Sequence, residues 1–396
     1  MNANNEMNKV NNNENQMNQN VPNIGNNPND NNINNQNQSR NNKPSNDKYS
    51  FSRYKKASRT GLMNLGDTSY LNAVLQLLGT SRNLSSFLIN PANKKFFIDN
   101  IYNSPLSFVI HRLFLHFYPY PEKIQPEIYK PETFLMVLGK LNQIYNSMDA
   151  RNPNDLIIFI LNKLHEEMNK KKSKPIPDEE LDNKNKEDFI PKFMQYFMGT
   201  NDSIISNNFS YFESNTQRCP NCQNNFYYMK NYNVLELDIS GCFGATKNNP
   251  LTISKCLEYQ TNKKQKLFCK ICNKYTMMDI ITNIYSTPIY FIFSLNRGNL
   301  NENGNLLKIP FLIENKIDLK QFVEFGQSFK NFELESILSI SLNEKKYVCF
   351  GKSPVDKQWY LYNDDKVINC GLNDVLNMNN NNQAYIPCLL LYKFIK

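Results

Sequence analysis

Four cysteines in two CxxC pairs, CPNC at 219–222 and CKIC at 269–272, carry the clearest chemistry in the sequence. A CxxC turn lets two thiolates converge on one ion. Two such turns complete a tetrahedral zinc shell, formed here by Cys219, Cys222, Cys269 and Cys272. With all four positions filled by protein no place is left for water, so the metal would stabilise structure and not catalyse. The alternatives are four unrelated buried thiols or redox pairs, although neither pair follows a strand in a strand–helix–strand unit as a redox motif would. The other cysteines, Cys242, Cys256, Cys349, Cys370 and Cys388, lack such partners and read as core thiols.

A second constellation lies in GLMNLGDTSYLNAVLQLL, residues 61–78. Leu71, Val74, Leu75 and Leu78 fall at the i, i+3, i+4, i+7 spacing of a helix that buries one face, with Gly79 as its stop. Ser69 then stands at the helix N-terminus, where free amide donors and the positive dipole end stabilise an anion and where nucleophiles are often placed. Hydrolysis from this position requires a neutral proton acceptor near the nucleophile, and an imidazole is the usual one. The chain has only three histidines. His111 and His116 lie in a Phe- and Leu-rich helical stretch and His165 in NKLHEEM; each reads as a half-buried or surface residue, not a base. A serine hydroxyl also ionises far less readily than a thiol, whose free pKa is about 8.5.

The elements that must position these residues change character along the chain. In the first fifty residues 22 are Asn, with little apolar content to offset the entropy of ordering, so 1–57 is expected to be a disordered, low-complexity tail. Helical patterns follow in SPLSFVIHRLFLHFY, in PETFLMVLGKLNQIY and in NDLIIFILNKLHEEMN, the last with its start at Asn154 or Asp155. A charged stretch beginning KKKSK at 170–174 reads as a solvated loop, and FIPKFMQYFMGT as one more short helix. From about residue 203 β-branched and aromatic segments dominate, and the 46 residues between the two knuckles (223–268) look strand-like. Helices first and a largely antiparallel sheet later give an α+β class.

Bulk properties limit the partners. No charged start followed by an apolar stretch appears, and no run approaches the roughly 18 apolar residues that cross a bilayer, so a soluble protein of cytoplasm or nucleus, without membrane attachment, is expected. Nine cysteines, an odd number, fit a reducing compartment. The net charge of +9 is spread among acids without an accompanying basic–aromatic platform, which argues against nucleic acid as a ligand.

The order of these features resembles the ubiquitin-specific proteases. Residues Gly61 to Gln76 match that family's first signature, Gly-Leu-x-Asn-Leu-Gly-Asn-Thr-Cys-Tyr-x-Asn-x-x-Leu-Gln, except for Asp67 in place of Asn and Ser69 in place of the catalytic Cys. NDLIIF is similar to the second box, with Asn154, Asp155 and Phe159 in register and Ile158 where Glu is usual. KKYVCFGKSPVDKQWYLYNDDKV resembles the last box, and AYIPCLLLYKF the terminal strand. The resemblance covers about 59–396 and implies a papain-like domain over 58–396, with a thumb at about 58–200, zinc-bearing fingers at about 201–285 and a palm at about 286–396.

Carried over position by position, the resemblance makes Asn64 the oxyanion donor, Ser69 the nucleophile position, Lys346 the position of the histidine, and Asn363 the residue that orients the imidazole. Two of three triad positions have changed chemistry. A Ser–Lys pair can hydrolyse acyl bonds when the lysine is neutral, but Lys345, Asp364 and Asp365 suggest a wet, ionic surround that would keep Lys346 protonated. The expectation is a catalytically inactive homologue acting as a ubiquitin-binding or scaffold subunit, with ubiquitin, a ubiquitinated protein or other proteins as partners. Asp155 and Tyr347 would line the channel for the ubiquitin tail. The alternative is an active deubiquitinating hydrolase using Ser69.

Overall fold

The computed structural model describes residues 58–118, 128–171, 184–247, 250–297, 306–326, 328–377 and 384–396. The Asn-rich stretch 1–57 and most of the charged segment after Lys170 lie outside the described residues.

The chain begins with helices and ends in sheet. The helix Ser69–Gly79 is the centre of the helical part, with Arg82–Ile89, Pro105–Phe117, Glu132–Leu141 and Pro153–Met168 packed near it. It was expected to bury one face, yet all eleven of its residues are buried. Polar Asn72 and Gln76 can sit there because their amides reach backbone carbonyls, Asn72 those of Leu62 and Met63 and Gln76 that of Thr60. Gly79 is an ordinary helical residue and not a stop; a Cβ on it would meet the Phe117 ring at 3.1 Å, and Thr80 closes the helix through Leu77 O and Leu78 O. The Pro153–Met168 helix starts earlier than its sequence suggests. Asn152 is the cap, its side chain accepting from the Asn154 amide, and Pro153 occupies the first turn where a missing N–H does no harm.

An eight-stranded sheet carries the second half. Its strands run in the order 366–370, 359–363, 346–352, 331–341, 385–394, 290–294 and 235–236, with 316–318 also paired to 331–341. All pairings are antiparallel except the last, 235–236 with 290–294. The Ser69–Gly79 helix lies on the 346–352 strand, and the close approach depends on Gly351, where a Cβ would meet the Thr80 methyl at 2.6 Å.

A separate four-stranded antiparallel sheet, in the order 225–232, 211–218, 274–286, 262–269, carries the CxxC knuckles on its outer turns. The segment between the knuckles is not all strand. Helices Ile239–Thr246 and Ile253–Thr261 interrupt it, the first capped by Asp238 and the second by Thr252. One face of this sheet is covered at its base by the helix Lys186–Thr200, through Phe189, Phe193, Phe212 and Met229.

The histidines are structural. His111 is buried, hydrogen-bonded to Leu88 O at 2.6 Å and stacked on Phe97. His116 packs against the Tyr129 ring. His165 lies 2.8 Å from Ser203 Oγ and 2.9 Å from Asn201 Oδ1. Ser203 already accepts from the Ile205 and Ser206 amides, so its own hydrogen goes to Nδ1 and the ring keeps its proton on Nε2, donated to Asn201. Burial holds all three imidazoles below the ordinary histidine value. The stability each contributes is present in full above the unfolded value of about 6.5 and is lost as pH falls through the lower folded value. His165→Gln, which removes the titration but keeps a polar side chain, should therefore shrink the fall in urea midpoint between about pH 7.5 and pH 5.5; an unchanged fall would show that His165 titrates alike in the folded and unfolded chains.

Candidate active site and metal centre

The turn at Asp364 and Asp365, between strands Trp359–Asn363 and Lys366–Cys370, is the meeting point of sheet and helix. Asp364 adopts a left-handed conformation, φ 53°, which an Asp tolerates in a tight hairpin turn. The turn docks on residues 61–62: the Leu62 amide donates to Asp364 O at 2.8 Å, and Gly61 lies so close that a Cβ would sit 2.2 Å from Asp365 O. Only glycine fits there.

Docking brings the Asp364 carboxylate, 6 % exposed, into the site. It accepts from Asn72 Nδ2 at 2.9 Å and from Asn64 Nδ2 at 3.1 Å, and lies 3.3 Å from Lys346 Nζ. Lys346 Nζ is also 3.0 Å from Glu344. Partial burial pulls the Lys346 ammonium down, but the Glu344 hydrogen bond and the charges of Asp364 and Glu344 together outweigh it and hold its pKa above the ordinary lysine value. Glu344 is held below the usual carboxylate range, chiefly by its hydrogen bond from Lys346. The ionic surround expected around Lys346 is present; its Asp364 carboxylate is buried, while Glu344 on the other side is open to solvent.

Ser69 Oγ, 4 % exposed, accepts from the Tyr347 amide at 3.1 Å. Thr68 holds the turn before it, its hydroxyl taking the Leu65 amide and reaching Asn64 Oδ1. Ser69, Asn64 and Lys346 are thus brought into one site. Asn363 is differently engaged: its amide donates to Glu344 at 2.9 Å, and its Oδ1 is buried without a hydrogen-bond partner among the described residues. Sequence reasoning named Asp364 only as a charged neighbour and missed Glu344 and Asn72. Two adjacent acids in a hairpin turn do not reveal which one turns inward.

Asp155 and Tyr347 lie in different surroundings. The Tyr347 ring is buried in the core, 1 % exposed. Asp155 is exposed; its helix neighbours Asn154 and Ile158, rather than Asp155 itself, line a cavity of about 310 Å³ together with Tyr211, Glu213, Tyr232 and Glu236. Burial, and then the charge of Glu236, raise the Asp155 pKa.

At the knuckles, the sulfurs of Cys219, Cys222, Cys269 and Cys272 all lie within 4.8 Å of one another. Two of the separations, Cys219 to Cys272 and Cys222 to Cys269, are 3.8 and 3.7 Å. A tetrahedron of zinc–sulfur bonds of about 2.3 Å has edges of about 3.8 Å, so these spacings fit that ion. The Cys222 and Asn221 amides lower the Cys219 thiol to about 6, and the Cys272 amide points at Cys269 Sγ at 3.4 Å. Of the other cysteines, Cys242, Cys256, Cys349 and Cys388 are buried as expected, whereas Cys370 is half-buried.

Comparison with known proteins agrees with this architecture. The family model of ubiquitin carboxyl-terminal hydrolases matches residues 60–392. Ubiquitin carboxyl-terminal hydrolase 5 of Arabidopsis thaliana is 25 % identical over 204 residues, 50 % of this chain and 21 % of that protein. Ubiquitin carboxyl-terminal hydrolase 4 of Saccharomyces cerevisiae is 23 % identical over 276 residues, 64 % of this chain and 29 % of its own length. The matches thus span less than a third of those relatives. Among solved structures, the SAGA DUB module Ubp8/Sgf11/Sus1/Sgf73 bound to monoubiquitin is similar in fold, with a TM-score of 0.57 and 20 % identity over 86 % of this chain and 71 % of that one. The same module bound to ubiquitin aldehyde gives a TM-score of 0.57 and 21 % identity over 88 % and 71 %. With residues 60–392, nearly the whole described region, matched by one family model, the chain belongs to the ubiquitin carboxyl-terminal hydrolase family.

Proposed function

We propose that this chain is a catalytically inactive member of its family that works as a ubiquitin-binding or scaffold subunit of a protein assembly in the cytoplasm or nucleus. The observation that carries the reading is the Lys346 ammonium, held between Glu344 and Asp364 one residue before the Tyr347 amide that donates to Ser69. A protonated amine cannot accept the hydroxyl proton, and serine without a base is a weak nucleophile. Each of the three histidines has its own packing or hydrogen-bond partners elsewhere. The idle Oδ1 of Asn363 supports the same reading, since an imidazole N–H is the donor that such an acceptor would orient. One amide hydrogen of Asn64, the expected oxyanion donor, is spent on Asp364.

Ubiquitin as a ligand rests on the acid-rimmed cavity beside Asp155. Glu236 provides a second carboxylate there, offsetting the acid that Ile158 lacks, and the tyrosines offer apolar walls to a basic, aliphatic tail. The similar solved SAGA DUB modules are bound to monoubiquitin or ubiquitin aldehyde and contain further subunits. Zinc is the metal proposed for Cys219, Cys222, Cys269 and Cys272. It would supply cross-linking of the two knuckles and leave the small sheet's turns ordered.

Incubation of the purified protein with ubiquitin carrying a C-terminal amide-linked fluorophore should release no fluorophore above background. Release that Ser69→Ala abolishes would establish the active alternative. Binding of ubiquitin, measured by calorimetry, should weaken about fivefold in Asp155→Ala, the size of a lost half-exposed ion pair; unchanged affinity would remove Asp155 from the interface. Metal analysis should find about one zinc per chain. Chelation or Cys222→Ser should lower the thermal midpoint and raise amide exchange in the small sheet before the large one, and a metal-free protein of undiminished stability would refute the assignment.

A further inference from the structure

The four-stranded sheet has two faces with different fates. Strand Lys274–Ser286 alternates, placing Thr276 and Met278 in the small core around the cysteines and Tyr275, Met277 and Ile281 on the other side, exposed. Tyr275 stands opposite Phe268 on strand Asn262–Cys269, the two rings meeting edge to face at 5.4 Å, and Phe268 is exposed as well. Ile271, in the second knuckle, adds a further exposed apolar side chain. Tyr275 is 67 % exposed and Met277 52 %. The face continues the one that the helix Lys186–Thr200 covers at the sheet's base, and Thr216 and Arg218 share it through their pairing with Ile281 and Asp279. The cavity beside Asp155 is lined from the other face, by Glu213 and Thr282. Five large apolar residues on one bare sheet end are a patch of the kind that marks an interaction surface.

The charge around it selects the partner. Between Glu258 and Asp279 the chain carries Lys263, Lys264, Lys266, Lys270 and Lys274 and no carboxylate. Lys263 and Lys264 have acids at 3.8 and 3.4 Å, Asp238 and Asp279. Lys266, Lys270 and Lys274 are exposed beside the patch. Strand Asn262–Cys269 is also the edge of its sheet, with one side of its backbone unpaired among the described residues. A lysine-lined edge resists a second copy of itself and admits a strand of opposite charge.

We propose that the outer face of this sheet end is a docking site for a protein partner that presents an acidic segment with aliphatic or aromatic anchors, laid along the Asn262–Cys269 edge. The site is independent of ubiquitin binding and of the state of Ser69. Aliphatic Ile271, Met277 and Ile281 beside the two rings favour apolar protein anchors over the stacking of bases, which uses aromatic rings alone.

The test uses a phage-displayed library of random peptides, selected against the whole zinc-loaded chain. Enriched sequences should combine Asp or Glu with Leu, Phe or Tyr. Synthetic peptides made from them should bind the double variant Phe268→Ser/Tyr275→Ser about tenfold more weakly, and Lys266→Glu/Lys270→Glu more weakly still at low salt. Circular dichroism and zinc content equal to the parent would show that the variants are folded. Basic or uncharged winners, or winners indifferent to both double variants, would overturn the proposal. So would single-stranded oligo-dT that binds the parent and is released by the same substitutions, or self-association of the parent that these substitutions abolish. Ubiquitin affinity retained in both variants separates a failure here from a failure of the ubiquitin reading.

Discussion

The buried carboxylate of Asp364 is the interaction on which the site's arrangement depends. Removing an anion from water is expensive unless its oxygens are taken up by donors or cations, and here both are used: two side-chain amides from the helical part and one ammonium from the neighbouring strand. These three donors come from positions 64, 72 and 346, so a single turn fixes the loop before the first helix, the helix itself and the strand behind it. Gly61 and the Leu62 amide complete the arrangement by letting the backbone of the turn rest directly on the chain. A site held this way is rigid because each of its parts would leave a desolvated charge or amide if it moved.

The same electrostatic logic divides the molecule. In the site, Glu344 and Asp364 clamp Lys346 as a cation, and the proposed inactivity rests on that clamp standing where a proton acceptor would be needed. At the far sheet end four sulfurs lie close enough together to hold a metal ion, and the surface around them is basic and apolar at once. The Asp155 cavity is acidic. One chain thus presents surfaces of opposite sign on opposite faces of one small sheet, an arrangement suited to holding two different proteins.

Much of this was legible in the sequence. The helix after Ser69, the order of helices before strands, and the four-cysteine cluster follow from periodicity and CxxC spacing, because those signals are local. What failed was long-range or subtle. Complete burial of the Ser69–Gly79 helix depends on backbone carbonyls of residues 60–63 that satisfy Asn72 and Gln76, and no pattern within the helix announces them. Asn152 was overlooked as a cap because Asn154 and Asp155 are cap-type residues as well, although Pro153, one residue on, marks the start more plainly. The two helices between the knuckles hide in text rich in Ile, Leu and Cys. In the site, Asn64, Ser69 and Lys346 could be placed by matching motifs, whereas the choice of Asp364 over Asn363 to face Lys346 is set by a left-handed turn that reverses which side chain points inward.

The amide of Tyr347 resting on the Ser69 oxygen has a further consequence for how such a chain can change over generations. Sulfur accepts from an N–H more weakly than oxygen, so a thiol at 69 alone would weaken a buried bond, while an imidazole at 346 alone would strip the nearby carboxylate of its ammonium. Each substitution is unfavourable without the other. Single changes toward a thiol–imidazole pair therefore meet a loss first, as at the tooth of a ratchet, while exposed surfaces stay free to vary.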